Sequence, residues 1–344
     1  MVGVGRGARS GILVKNAEAI EKAEKVTHLL IDKTGTLTEG KPCVTAFIQA
    51  PGIDKQRLLN AAASLEQNSE HPLARAIVDF ARGENAAIES VANFKSTTGK
   101  GVRGDIKGKV VIAGKQKFIE ESGIPIPIEL GKQVMDLQDQ AQSVVWVAAG
   151  SGIAGVFGIS DPVKKTTPEA IRALHGMGIK IIMLTGDNRR TAGAIAKQLG
   201  IDDFRAELKP ETKQEIVKRF RDGGAVVMMA GDGINDAPGL AQAEVGVAMG
   251  TGTDVAIENA GITLIKGDLN GIVKTLRLSR HVMKNIRQNL FFAFIYNAVG
   301  LPVAAGALYP FFELLLSPVI AGAAMSFSSV SVITNSLRLR GLKL

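Results

Sequence analysis

Short apolar runs separated by amphipathic stretches set the rhythm of most of this chain. Thr27-His28-Leu29-Leu30-Ile31 leads into Asp32 and predicts a short buried strand. The apolar run Ile179–Leu184 predicts a second, of the buried parallel kind, ending at Thr185-Gly186-Asp187-Asn188. Ala225–Ala230 predicts a third, ending at Gly231-Asp232-Gly233-Ile234-Asn235-Asp236. Val245–Met249 and Ile262–Ile265 complete the set. A helix over Arg190–Leu199 is stopped by Gly200, and Lys209-Pro210-Glu211-Thr212-Lys213 opens another that runs to Arg221. Strands alternating with helices in this way predict an α/β fold around a parallel sheet.

The pattern changes between Val44 and Gly155. A helical stretch at Lys55–Ala63 leads into Ser64-Leu65-Glu66-Gln67-Asn68-Ser69-Glu70-His71-Pro72-Leu73. His71 precedes a proline and is expected to be extended, with a helix beginning at Pro72. A glycine-rich loop, Thr97-Thr98-Gly99-Lys100-Gly101-Val102-Arg103-Gly104, follows, then strand candidates at Lys109–Ala113 and Ser143–Ala149. These predict a compact α+β insert, and Asp161-Pro162-Val163-Lys164 leads back from it. Residues 11–26 read as a helix or linker. Residues 1–10 are glycine-rich, carry Arg6 and Arg9, and lack the apolar core of a signal peptide.

At the C-terminal end the apolar runs lengthen. Residues 289–308 are twenty positions without a charge, long enough to cross a hydrocarbon core of roughly 30 Å. Tyr309-Pro310 makes a break, and 311–334 form a second run carrying only Glu313. A hydrophobic content of 46% and a mean hydropathy of +0.16 agree with a membrane segment. The formal charge of +8 could point to nucleic acid, but its placement argues otherwise. Arg277, Arg280, Lys284 and Arg287 precede the apolar pair, and Arg338, Arg340 and Lys343 follow it. Basic flanks on one side predict a hairpin with both ends cytosolic, a lipid membrane as partner and no nucleic acid. The plain alternative is a buried helical hairpin in a soluble domain. Cys43 is the only cysteine, so no disulfide forms within the chain and no cysteine cluster can hold zinc.

The candidate chemistry lies where the strands end. In a parallel sheet, Asp32, Thr185 with Asp187, and Asp232 with Asn235 and Asp236 would share one edge, where open α/β sheets bind ligands. A carboxylate there can ligate a metal, attack a phosphoryl group or cap a turn. Attack on a γ-phosphoryl forms an aspartyl-phosphate. The approach of two anions requires positive charge, for which Mg²⁺ on carboxylates is the natural agent. Asp232 is the best candidate ligand, Lys213 can supply a fixed cation, and Thr185 a hydroxyl donor.

The string Asp32-Lys33-Thr34-Gly35-Thr36-Leu37-Thr38, with Thr185-Gly186-Asp187 and Gly231-Asp232-Gly233-Ile234-Asn235-Asp236, resembles the catalytic domain of P-type ATPases within the haloacid dehalogenase superfamily. The resemblance spans essentially the whole chain. It implies Asp32 as the phosphorylated residue, with Lys213, Thr185 and Asp187 catalytic. It implies Mg²⁺ held by Asp32, the Thr34 carbonyl, Asp232 and, for support or through water, Asp236. Glu66, His71, Gly99 and Gly101 match the ATP-binding pattern of heavy-metal-transporting members. The apolar pair is similar to the last two helices of copper(I)-exporting members, which makes Tyr296, Asn297, Met325 and Ser329 a Cu⁺ pathway. A soft thioether suits that ion, and Met325 and Ser329 share a helix face. Gly239, where relatives commonly carry alanine, is a departure expected to matter little.

The fold implied is a haloacid-dehalogenase-like Rossmannoid phosphorylation domain with an inserted α+β nucleotide-binding domain and a C-terminal transmembrane hairpin. The expected divisions are a membrane-proximal helix or linker at 1–26, phosphorylation domain at 27–43 and 156–275, nucleotide-binding domain at 44–155, and hairpin at 276–344. The Cys-Pro-Cys helix and the Thr-Gly-Glu actuator segment of the family are absent from this sequence. The expectation is therefore a C-terminal half that binds Mg-ATP and autophosphorylates, with another chain or segment supplying the rest. Two alternatives stand beside it: a membrane-tethered phosphatase of the same superfamily, and a non-catalytic nucleotide-binding module. The first would want an acid/base carboxylate two residues after the nucleophile, where this chain has Thr34.

Overall fold

The computed structural model describes residues 2–306 and 318–344, without the side chains of 296, 304, 318–321 and 323–325. In chain order its strands are β1 (Ile12–Val14), β2 (His28–Asp32), β3 (Cys43–Gln49), β4 (Ala92–Thr97), β5 (Gly101–Ile106), β6 (Lys109–Gly114) and β7 (Ser143–Ala149). They continue with β8 (Gly152–Ser160), β9 (Lys180–Leu184), β10 (Asp203–Arg205), β11 (Val227–Gly231), β12 (Val245–Met249) and β13 (Ile262–Leu264). The chain divides into two compact units. One comprises Met1–Leu29, Ala173–Ile179 and Gln214–Leu344, the other Leu30–Arg172 and Lys180–Lys213.

In the first unit the strands lie in the order β1-β13-β12-β11. β11, β12 and β13 are parallel, and β1 runs antiparallel on β13 with Ile12 opposite Leu264. β11 and β12 are buried at every position, which explains why their sequences are unbroken apolar runs rather than alternating ones. β1 and the short helix Ala17–Ala23 occupy the stretch expected to be a helix or linker; the helix is there, the strand was not expected. The glycine-rich start is itself a helix, Val2–Arg9, and the glycines have a packing reason. A Cβ on Gly3 would lie 2.5 Å from Val282, and one on Gly7 2.9 Å from Leu278, so this helix rides close against the long helix Asn270–Ala304.

The predicted membrane spans are described only in part. Among the described residues, no helix is long and apolar enough to cross a membrane. Residues 289–304 form only the last part of a 35-residue helix whose first half is strongly basic, and the span expected at 311–334 is described only from Pro318. Residues 307–317 lie outside the described residues. The helices Asn270–Ala304 and Pro318–Leu337 pack together through a polar clasp. Asn285 donates to the Asn335 carbonyl at 2.9 Å, and Asn335 to the Asn289 side chain at 2.9 Å. Beyond the clasp Phe291, Phe294, Leu301, Phe327, Val330 and Ile333 are exposed.

In the second unit β2, β9 and β10 lie side by side, β9 parallel to β10. The helix Arg189–Leu199 ends on Gly200 in the left-handed region at φ +68°, as its sequence predicted. The same unit holds an antiparallel sheet in the order β3-β8-β7-β6-β5-β4. Alternate residues of its strands serve two cores, as the pleat requires. Val111, Ala113, Val145, Val147, Phe157 and Ile159 join the helices Lys55–Glu66 and Pro72–Gly83 on one face. Ile112, Trp146, Ala148 and Val156 join the helices Gln116–Glu121 and Ile128–Asp139 on the other. The sheet's first and last strands leave side by side, Cys43 opposite Ser160. Asp161 fastens them, accepting from the Thr38 hydroxyl at 2.6 Å and from the Lys41 amide at 3.1 Å.

Candidate active site

β2 delivers Asp32 to its C-terminal end, 7% exposed, and the chain then turns sharply through Lys33–Leu37. Thr34 is extended (φ −73°, ψ 132°) and exposed, and Gly35 takes φ +71°, a conformation that a side chain would strain. The Thr38 amide donates to the Lys33 carbonyl at 3.2 Å, and Lys164 donates to the Gly35 carbonyl. The turn is thus closed from both sides.

Lys213 Nζ lies 2.6 Å from Asp32 Oδ1, with both side chains at most 10% exposed. Lys213 sits in the first turn of the helix Pro210–Asp222, where the helix dipole disfavours a cation. Local helix energetics therefore do not place it; the carboxylate does. Beside this pair, Lys33 contacts Asp187 at 2.5 Å. The Asp187 amide donates to the buried Thr185 hydroxyl at 3.1 Å, and the Asp187 carbonyl accepts from the Glu207 amide at 2.8 Å. Asp32, Lys213, Thr185 and Asp187 all fall in the second unit, at the ends of β2 and β9 and the start of one helix.

Asp232 and Asp236 belong to the first unit, in the turn after β11. Asp236 is 2% exposed and accepts from the Gly233 amide at 3.2 Å; the Asp232 carbonyl accepts from the Thr253 amide at 2.8 Å. Asn235, in the same turn, is exposed.

The four residues expected at the nucleotide lie in the second unit, in the body of the six-stranded sheet. Glu66 closes the helix Lys55–Glu66 and is buried; burial alone pushes its carboxyl up to about 7. His71 caps the next helix, its Nδ1 accepting from the Leu73 amide at 3.2 Å. That bond fixes the tautomer: in the neutral ring Nε2 carries the proton and is the donor. Burial and the nearby Lys115 lower its pKa, against an upward pull from Asp187, which favours the neutral ring. Gly99 turns at φ +73°, and Gly101 lies against Gly114.

Tyr296 and Asn297 fall on the helix Asn270–Ala304, Met325 and Ser329 on Pro318–Leu337. The side chains of Tyr296 and Met325 lie outside the described residues. Asn297 is exposed and donates to the Ala293 carbonyl of its own helix at 3.0 Å, and Ser329 is exposed. Three residues without an expected site role carry part of the geometry: Lys33, Lys164 and Asp161. All three lie inside motifs visible in the sequence, but the partners of Lys33, Lys164 and Asp161 are 154, 129 and 123 residues away, a separation that spacing does not reveal.

Comparison with known proteins shows what the chain as a whole resembles. A family profile described as haloacid dehalogenase-like hydrolase matches residues 26–244. A silver exporting P-type ATPase of Salmonella typhimurium is 53% identical over all of this chain and 42% of its own length. A copper-transporting P-type ATPase of Rhizobium leguminosarum bv. viciae is also 53% identical, over 100% of this chain and 41% of its own. The chain thus spans less than half the length of these curated relatives. Among solved structures, the catalytic domain of the CPx-ATPase CopB-B is 32% identical with a TM-score of 0.63, covering 79% of this chain and 98% of that one.

Proposed function

Because this chain belongs to the P-type ATPases, within the haloacid dehalogenase-like hydrolases, we propose that it is the catalytic part of a copper(I)-exporting pump phosphorylated on Asp32. The observation that carries the reading is a buried carboxylate at a strand end, held at 2.6 Å by a buried lysine that its own helix disfavours. An Asp kept only for structure would not need that partner in that place.

In the proposed step Asp32 Oδ attacks the γ-phosphorus of ATP. The new O–P bond forms as the bond to the β–γ bridging oxygen breaks, and ADP leaves with that electron pair. Lys213 offsets the negative charge gathering at the phosphoryl, the Thr185 hydroxyl donates to it, and Asp187 holds Lys33 and hence the turn beside the nucleophile. The donor set suits a hard divalent cation, since Asp32, the Thr34 carbonyl, Asp232 and Asp236 offer only oxygen. Mg²⁺ bound by these oxygens would supply neutralising charge for the transfer. Glu66 and the Nε2–H of His71 recognise adenine, while Gly99 and Gly101 let backbone approach the nucleotide.

Copper(I) is the proposed cargo, passing Tyr296, Asn297, Met325 and Ser329. The exposed Phe291, Phe294, Leu301 and Phe327 favour a lipid or protein covering for that end, with the catalytic parts cytosolic. Transport is proposed to need segments corresponding to the remainder of the longer relatives.

The test is incubation with radiolabelled Mg-ATP, a cold chase and hydroxylamine, in parallel with Asp32→Asn. Stable, hydroxylamine-labile label that vanishes in the variant is the expected result. No label despite bound ATP would sink the phosphorylation reading, and label that turns over rapidly would favour a self-sufficient phosphatase.

A further inference from the structure

The body built on the six-stranded sheet joins the rest of its unit through adjacent strand ends at Cys43 and Ser160, fastened by Asp161. A two-strand connection of this kind leaves a swinging freedom, because one narrow attachment fixes position but little angle. A second attachment exists some distance along the chain. Arg190, in the first turn of the helix Arg189–Leu199, grips Asp139, the last residue of the helix Ile128–Asp139, with two parallel bonds, one of 2.6 Å. Next to it the Thr191 hydroxyl, fully buried, donates to the Gln142 carbonyl at 3.0 Å. The same hydroxyl accepts from Asn188 Nδ2 at 3.0 Å, and Asn188 Oδ1 accepts from the Thr191 amide at 2.9 Å. A continuous chain of bonds therefore runs from the body, through Thr191, to Asn188, the residue after Asp187.

We propose that Asp139 and Arg190, with Thr191 on Gln142, form a latch that sets the angle of the body against the Thr185–Asn188 loop. These are positioning residues: they touch neither nucleotide nor phosphoryl but hold the body at the angle that presents bound ATP to Asp32. The inference rests on the proposed function. The division of labour follows from exposure. Thr191 is sealed and acts as a fixed seat, whereas Arg190 and Asp139 are 44% and 52% exposed, so their attraction competes with water and salt. The latch is thus one that opens and recloses, and its strength falls as ionic strength rises. An exposed pair contributes little, so the effect on rate is about two- to fivefold rather than all-or-none.

The experiment uses the full chain with Asp139→Arg, Arg190→Asp and the double exchange. Three quantities are read: Mg-ATP affinity, the single-turnover rate of phosphoenzyme formation at saturating ATP, and the distance between spin labels. The labels sit at Lys95→Cys on the body and Lys197→Cys on the helix, in a Cys43→Ser background, both positions being exposed. Each single variant is expected to slow labelling two- to fivefold, leave affinity within about twofold and broaden the distance distribution; the double exchange restores rate and distance. The parent rate should fall between low and high salt, and the single variants should not. Unchanged distances in the single variants overturn the latch, as does failure of the exchange to restore them. If affinity falls in step with rate, these residues contact nucleotide and the positioning role is refuted. A parent that never labels refutes the proposed function instead, and the distances still decide the latch.

Discussion

Glu66 offers the sharpest test of the physical account, because its burial acts against the domain that carries it. The residue is 6% exposed, and burial, the one cause of the shift, raises its carboxyl pKa from an ordinary 4.5 to about 7. A carboxylate whose folded pKa is raised leaves stability intact below the unfolded pKa and removes it as pH climbs through the folded one. The loss therefore begins near pH 4.5 and is complete above about pH 7. That difference corresponds to about 3 kcal/mol at pH 8 and about 1 kcal/mol or less at pH 5. Glu66→Gln keeps the shape and removes the charge, so it should stabilise the body by about 3 kcal/mol at pH 8 and hardly at all near pH 4.5. The readout is built in: Trp146, the only tryptophan, is 1% exposed in the core of this body. Its fluorescence through a urea titration follows this body's unfolding in the full chain. A variant no more stable than the parent at pH 8, or equally stabilised at both pH values, would mean that the buried charge does not destabilise this body. The substitution should also weaken Mg-ATP binding, since an acid that destabilises its own domain is kept for what it binds.

Lys213→Met should slow phosphoenzyme formation by at least about 100-fold with nucleotide affinity within about twofold, because it removes preorganised charge at the reacting group; an equal loss in affinity would make the lysine a nucleotide anchor instead. Gly231→Ala sets a new Cβ 2.6 Å from Asp236 Oδ2 and 2.7 Å from its Cβ, a short side chain that cannot step aside. Thermal denaturation should show a loss of about 1–3 kcal/mol. Gly239→Ala is the contrast: its Cβ would crowd the sulfur and terminal methyl of Met229, at 2.5 and 2.8 Å, the far end of a flexible side chain, with Val217 at an ordinary 3.8 Å. The gain of about 1 kcal/mol for alanine in a helix should leave that variant within about 1 kcal/mol of the parent; a severe loss would show that Met229 is locked.

How much of this was legible in the sequence depends on how far apart the cooperating residues lie. The runs ending at Asp32, Asp187 and Asp232 announced strands because burial on both faces removes polar residues from them, and the structure places β2, β9 and β11 there. Gly200 and Pro72 marked a helix end and a helix start for local reasons, and both hold. What escaped were pairings across long separations. Nothing near Arg190 announces Asp139, 51 residues earlier, and nothing near Gly3 announces Val282. β1 escaped because three residues are too few for a period to show. The membrane spans were read from the length of the uncharged runs, their basic flanks and the family resemblance. In the structure, the first apolar stretch shares a helix with a basic half, and no helix among the described residues qualifies.

The pairing of Cys43 with Ser160 has an architectural consequence. Paired residues on neighbouring strands stand only about 5 Å apart, so the polypeptide departs and returns at practically one point. Everything between is topologically a cassette. It can be lengthened, trimmed or exchanged for another without disturbing the path of the host chain, provided the graft brings its own core and its two ends close together.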